Sequence, residues 1–221
     1  MHVVIINGSP RIQKNSNTDK IITSFTEGMC ENNNDYELFC ISDRSQWAAA
    51  KDAFENTENN HILIALPLFV ECIPGMLLEF LGTLTPKTSD DTVLSFILQS
   101  GFAEGNQLRC GEAFLEKLPE KLNCKYGGTL VKGDNFGIRL MNEDIQKKMT
   151  SPYVQMGRIY SRDQNFFSDE AKKFTGPEQF GFMMRLMLSI IQKSLAKSMF
   201  KNKAKEVFGC TQSLSYKPYD I

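Results

Sequence analysis

Residues 3–18, VVIINGSPRIQKNSNT, decide how the rest of the chain is interpreted. The four β-branched residues at positions 3–6 are typical of a strand that is buried on both faces. A polar loop follows, and three residues that favour helix N-caps come directly before an apolar pattern at helical spacing: Ser16, Asn17 and Thr18. The stretch predicts a strand, a loop and a helix start, which in an open α/β sheet is a place where phosphate binds.

Working outward, apolar runs alternate with segments of helical pattern. The further strands are predicted at residues 36–41, 62–66, 93–98 and 126–131. Strands joined by crossover helices indicate a parallel, doubly wound α/β sheet of five strands. Because such crossovers are right-handed, the loops that begin at Gly8, Pro67 and Ser100 should lie along one edge of the sheet. We expect these three loops to form one site.

The composition narrows the function classes. The chain has 221 residues and a net charge of −1, so it lacks the excess of Lys and Arg that nucleic-acid binding requires. Its six cysteines include no CxxC pair, and no signal peptide precedes the first strand, so we expect a cytoplasmic protein with reduced thiols. No apolar run reaches the roughly 18 to 20 residues that a membrane span needs.

The pattern changes after residue 133. Residues 142–160 have a helical pattern, 161–176 are predicted as a loop, and a long helix is predicted from Pro177 to about Glu206. We interpret residues 1–133 as one domain and 134–221 as a helical extension that packs on it or forms a dimer interface. The long helix carries a wide apolar stripe. It also carries a lysine at every fourth position, at Lys193, Lys197, Lys201 and Lys205. We interpret these lysines as a solvated face, and binding to a membrane surface is the alternative.

The first loop fits neither common nucleotide pattern. It has no GxxxxGK[ST] sequence and no GxGxxG sequence, so the sequence supports neither nucleoside triphosphate hydrolysis nor a dinucleotide fingerprint. What remains is a cradle of hydroxyls, amides and one guanidinium, with no carboxylate between Gly8 and Thr18, which suits a phosphomonoester. A polar loop followed by a helix cap is the alternative reading. The candidate phosphate-binding residues are Ser9, Pro10, Arg11, Ser16, Asn17 and Thr18.

This combination of GSPR, a short spacer and SNT resembles the flavodoxin-like NAD(P)H-dependent FMN reductases, whose first loop wraps the FMN 5′-phosphate. The resemblance covers about residues 3–132 and implies a flavodoxin-like sheet of strand order 2-1-3-4-5. It also implies that the second loop lies beside the flavin ring, through Pro67, Leu68, Phe69 and Val70. Phe69 stands where the family usually has Tyr, so a phenolic hydrogen bond would be lost. The third loop would contact the pyrimidine end of the flavin through Ser100, Gly101 and Phe102.

The resemblance implies an FMN-dependent oxidoreductase with tightly bound FMN. NADH or NADPH would donate electrons, and a quinone, a nitro compound, a flavin or a similar small molecule would accept them. A homodimer is also implied. We assign no catalytic acid or base, because hydride transfer depends on positioning. The two histidines and Cys72 suggest no metal site. The alternatives are a flavodoxin-type electron carrier and a flavodoxin-like interaction module that has lost flavin.

Overall fold

A five-stranded parallel sheet forms the centre of the computed structural model, which describes residues 1–191, 197–213, 216, 217 and 219. The strands are β1 (His2–Asn7), β2 (Asp35–Cys40), β3 (His61–Pro67), β4 (Val93–Gln99) and β5 (Lys125–Lys132). Their order in the sheet is β2-β1-β3-β4-β5, and all neighbours pair in parallel. The predicted fold class and strand order are confirmed.

Helices cover both faces of the sheet. They are α1 (Asn17–Met29), α2 (Trp47–Glu55), α3 (Gly75–Leu81), α4 (Arg109–Lys121), α5 (Glu143–Asp163) and α6 (Asp169–Phe174). Successive residues of β1 point to opposite faces, so Val4 packs with α2, α3 and α4, whereas Val3 packs with α1 and α5. Both faces of the central strands are buried, which is why these strands are continuously apolar in the sequence.

The chain after β5 differs in part from the sequence-based expectation. The helix predicted at 142–160 is α5, which packs against α1. The segment predicted as a loop contains the short helix α6, because Ser168 caps it by accepting a hydrogen bond from the Ala171 N–H (3.2 Å). The long helix predicted from Pro177 begins instead at Phe182, as α7 (Phe182–Ile191), and α8 (Lys197–Phe208) follows. Residues 192–196, over which the prediction was continuous, lie outside the described residues.

The chain divides into two compact units, Met1–Glu178 and Gln179–Ile221. The sheet and helices α1 to α6 belong to the first unit, and α7 and α8 belong to the second. In the portions of the chain that the structure describes, no helix is both long enough and apolar enough to cross a membrane.

Helices α1 and α5 approach closely through two glycines. A Cβ atom on Gly28 of α1 would lie 1.9 Å from the carbonyl oxygen of Val154 in α5. A Cβ atom on Gly157 of α5 would lie 2.0 Å from the carbonyl oxygen of Phe25 in α1. Both distances are far shorter than van der Waals contact, so neither position accepts a side chain at this helix separation. The glycines thus set how closely α5 approaches α1.

Candidate functional site

Three loops that follow strands meet at the carboxyl edge of the sheet. The Gly8 N–H donates to the Ala65 carbonyl (2.7 Å), which fastens the first loop to β3. The Leu68 N–H donates to the Gln99 carbonyl (2.7 Å), which fastens the second loop to β4. The Ser100 N–H donates to the Lys132 carbonyl (3.2 Å) at the end of β5. Each loop is therefore held by the neighbouring strand.

Glycine is required at the start of the first loop. A Cβ atom on Gly8 would lie 2.8 Å from Cδ2 of Leu77 and 3.2 Å from the Ala65 carbonyl oxygen. The backbone at this point passes between β3 and α3, and there is no room for a side chain. The close approach lets the loop turn directly over the sheet edge.

Hydrogen bonds within the first loop fix its path to α1. The Ser9 N–H donates to Oδ1 of Asn7 (3.1 Å), and the Arg11 N–H donates to Oγ of Ser9 (3.3 Å). Ser16 is the N-cap of α1, because its hydroxyl accepts from the Asp19 N–H (3.2 Å). The predicted capping chemistry is present, and the loop runs into the positive end of the helix dipole.

A cavity of about 220 Å³ lies among the three loops. Its lining includes nine of the residues predicted from the sequence: Ser9, Arg11, Asn17, Thr18, Pro67, Leu68, Phe69, Ser100 and Gly101. The lining does not include four other predicted residues, Pro10, Ser16, Val70 and Phe102. Ser16 is fully buried beneath the loop as the helix cap, whereas Val70 and Phe102 are exposed. The three predicted loops do surround one space.

Three further residues line the cavity that were not predicted from the sequence: Gln99, Phe136 and Arg139. Gln99 is the last residue of β4, and its Nε2 donates to Oγ1 of Thr18 (3.3 Å). A polar residue that ends a buried strand was the available signal for Gln99. Phe136 and Arg139 follow β5, where the sequence has no periodic pattern that points to the first loop.

Asn17 connects the first loop to the segment that follows β5. Its Nδ2 donates to the carbonyls of Asn135 (2.7 Å) and Phe136 (3.3 Å). Its Oδ1 accepts from the Arg139 N–H (3.0 Å). Both ends of the amide are therefore engaged in holding residues 135–139, two of which line the cavity. Asn17 was predicted to contact the cofactor, and the structure adds this positioning contact to its place in the lining.

A buried polar pair supports the same segment from below. Asn135 Nδ2 donates to the hydroxyl of Tyr153 (3.0 Å), a fully buried side chain of α5. Burial raises the pKa of Tyr153, so its hydroxyl stays neutral over the physiological range. Helix α5, outside the segment on which the family resemblance rests, thus helps to shape the candidate site.

The charge that faces the cavity is positive. Arg11 and Arg139 both contribute to the lining, and no Asp or Glu is among the lining residues. Burial lowers the pKa of Arg139, and the nearby Arg11 guanidinium lowers it further, although an arginine remains protonated. The nearby carboxyl of Asp19 lies outside the lining, and burial raises its pKa. Two guanidiniums, several hydroxyls and an apolar wall are a set that suits an anionic group attached to a flat ring.

The second loop contains a strained turn. The Phe69 N–H donates to the Cys72 carbonyl, and the Cys72 N–H donates to the Phe69 carbonyl, both at 3.0 Å. Between them, Val70 has φ of 49° and Glu71 has φ of 64°. Left-handed backbone is costly for a β-branched residue, and Val70 is 82% exposed, so its side chain gains little by burial. The turn presents Phe69, which is partly exposed, at the cavity.

A second cavity of about 290 Å³ lies beside β5 and α4. Its arginine, Arg109, forms salt bridges with Glu112 and Glu178. Arg109 is thereby compensated by carboxylates, and Glu116 adds a further negative charge to the lining. An anion is better accommodated in the cavity formed by the three loops.

Comparison with known proteins supports the fold. An NAD(P)H:quinone oxidoreductase from Methanothermobacter marburgensis is 15% identical with a TM-score of 0.53, over 75% of this chain and 99% of that one. An NADH:FMN oxidoreductase in its apo form is 14% identical with a TM-score of 0.54, over 77% of this chain and 92% of that one. General stress protein 14 from Treponema denticola, in complex with FMN, is 8% identical with a TM-score of 0.50, over 73% of this chain and 97% of that one. No family model and no curated protein matches the sequence. The chain has the flavodoxin-like fold.

Proposed function

We propose that this protein is an FMN-dependent NAD(P)H oxidoreductase that reduces a small-molecule acceptor such as a quinone, a nitro compound or a flavin. The observation that carries the proposal is the cationic cavity at the carboxyl edge of the sheet, where the first loop and α1 meet two further loops. The named activities of proteins with the same fold, quinone reduction and FMN reduction, support it.

The residues of the cavity fit FMN at both ends. A phosphomonoester carries about −1.5 to −2 charges at neutral pH, and Arg11, Ser9 and the first turn of α1 supply a guanidinium, a hydroxyl and backbone N–H groups. Pro67, Leu68 and Phe69 of the second loop line the same cavity and suit the face of an aromatic ring. Bound FMN would supply two-electron redox chemistry.

Each loop has a distinct proposed role. The first loop holds the phosphate, and the second loop positions the ring through its backbone and Phe69. Ser100 and Gly101 approach the polar edge of the ring, where Gly101 allows close contact of the backbone. Phe136 and Arg139 line the cavity from the segment after β5 and help to exclude water from the ring. The donor would approach past the exposed side chains of Phe69 and Phe102.

The proposal is tested by adding FMN to purified protein and following its fluorescence. We expect one FMN per chain, and we expect Arg11→Ala to weaken binding by about 1.5–3 kcal/mol through loss of a charged hydrogen bond. Ser9→Ala should weaken it less, by about 1 kcal/mol. Arg158→Ala is the matched control. It removes an exposed guanidinium of α5 that pairs with Glu31, and it should leave FMN affinity unchanged.

Turnover distinguishes the enzyme from the two alternatives. Oxidation of NADH or NADPH should depend on FMN and on an added quinone, and an electron carrier would bind FMN without such turnover. Protein that takes up no FMN would support the interaction module and contradict the proposal. Light scattering tests the homodimer that the family resemblance implies.

A further inference from the structure

Helix α7 is apolar and exposed. Its sequence is FMMRLMLSII, and none of its ten residues is buried in the structure as described. The exposed fractions of Phe182, Met183 and Ile190 are 78%, 74% and 63%. Isolated apolar side chains are common at protein surfaces, but a contiguous helix of them marks a surface that binds something else.

The same segment is strongly basic. Residues 182–208 contain six Lys and Arg residues and one acidic residue, Glu206. Because the whole chain has a net charge of −1, the remainder of the chain is net acidic. Lys201 and Lys205 are exposed on α8, while Lys203 pairs with Glu206 (3.1 Å). This segment therefore combines a net positive charge with an exposed apolar helix.

The length of α7 limits how it can meet a lipid bilayer. Ten residues of α-helix extend about 15 Å, half of the roughly 30 Å thickness of the hydrocarbon core. A helix of this length does not cross the bilayer. It can lie at the interface, with apolar side chains among the acyl chains and lysines near the headgroups.

We propose that α7 and α8 bind the surface of a membrane that contains anionic lipids. Charge complementarity selects this partner over a second copy of the chain. Two copies that met through this segment would bring like charges together, which is unfavourable within a Debye length of about 10 Å. An anionic bilayer offers negative charge and apolar depth at the same place. The proposal is independent of the proposed flavin chemistry.

The test is co-sedimentation of the full-length protein with vesicles of phosphatidylcholine alone and of phosphatidylcholine with 30% phosphatidylglycerol. We expect binding to the anionic vesicles that falls at least about ten-fold in 0.5 M salt, and little binding to the neutral vesicles. Lys201→Glu with Lys205→Glu should reduce anionic-vesicle binding by about twenty-fold or more. The matched control is Lys147→Glu with Lys148→Glu, two exposed lysines of α5, which should leave binding unchanged.

A second pair of variants tests the apolar part of the segment. Phe182→Gln with Ile190→Gln should abolish vesicle binding, and Phe114→Gln with Ile145→Gln, exposed on α4 and α5, should not. Light scattering of all variants reports association between copies. No binding to either vesicle, equal binding to both, or a dimer that only Phe182→Gln with Ile190→Gln dissociates would overturn the proposal.

Discussion

At the scale of single residues, Arg139 is a candidate site residue that could not be predicted from the sequence. It lies 122 positions from Asn17 in the sequence, and the backbone N–H of Arg139 donates a hydrogen bond to Oδ1 of Asn17. It faces the same cavity as Arg11. A second guanidinium in a cavity without a lining carboxylate adds affinity for a dianion, because charge-assisted contacts are stronger where water is excluded.

We predict that Arg139→Ala weakens FMN binding by about 1.5–3 kcal/mol, whereas Arg139→Lys, which keeps the charge, loses less. Fluorescence titration measures both affinities, and increasing salt should narrow the difference between wild type and Arg139→Ala. Equal affinity for all three proteins would place the phosphate beyond the reach of Arg139. Arg44→Ala, at an exposed arginine that pairs with Glu79, is the control.

Residues of the candidate site could be predicted from the sequence where a loop directly follows a strand. Ser9, Arg11 and Phe69 follow buried apolar runs, and parallel strands bring their carboxyl ends to one edge. Phe136 and Arg139 could not be found in this way. Their position depends on the Asn17 hydrogen bonds and on Tyr153 of α5, contacts between parts of the chain that are distant in sequence.

At the scale of elements, the tight turn in the second loop stores strain. We predict that replacing Val70 and Glu71 with Asn-Gly raises the free energy of unfolding by about 1–3 kcal/mol, because these residues tolerate positive φ at both central positions. Chemical denaturation measures the change. The control replaces Thr57 and Glu58, exposed residues without positive φ, by Asn-Gly, which should give no gain. A gain at both sites would show that turn strain is not the cause.

A substitution at the contact between α1 and α5 should lower the free energy of unfolding. We predict that Gly157→Ala lowers the free energy of unfolding by about 2 kcal/mol or more, because its methyl group would overlap the Phe25 carbonyl and force the helices apart. Gly75→Ala is the matched control, since no atom lies within 4 Å of an added Cβ there. That control should be neutral or slightly stabilising. Similar losses in both variants would contradict the close helix contact.

Element boundaries show what sequence patterns could and could not reveal. The central strands were predictable because buried parallel strands are continuously apolar, as in β1, β3 and β4. Helix α6 was missed because it has only six residues, too few for a periodic pattern, although Ser168 and two acidic residues mark its start. The predicted helix start at Pro177 was wrong, because α7 begins only at Phe182, after Gly181, a residue of low helix propensity.

At the scale of the whole molecule, stability should depend on pH through two histidines with opposite shifts. Burial lowers the pKa of His61, whose Nδ1 is buried without a hydrogen-bond partner in the described structure. Below about pH 6.5 the unfolded chain therefore binds this proton more readily than the folded one, and stability falls as the pH falls. Although burial opposes it, hydrogen bonding to Asp35 and Glu37 raises the pKa of His2, so protonation of His2 favours the folded state.

We predict that His61→Thr loses less stability than wild type between pH 7 and pH 5, and that His2→Thr loses more. Thermal unfolding across this range measures both, with the wild-type profile as reference. If stability fell equally between pH 7 and pH 5 in all three proteins, neither histidine would govern the loss of stability in acid.

The Asn17 amide, which ties the first loop to residues more than a hundred positions later, has a consequence for the newly made protein. A chain emerging from the ribosome can assemble β1 to β4 while the segment after β5 is still being synthesised. Until residues 135–139 arrive, Asn17 lacks its hydrogen-bond partners from this segment and the second guanidinium of the cavity is missing. Cofactor capture would then be a late event in biogenesis, and nascent chains stalled before residue 135 should retain no flavin.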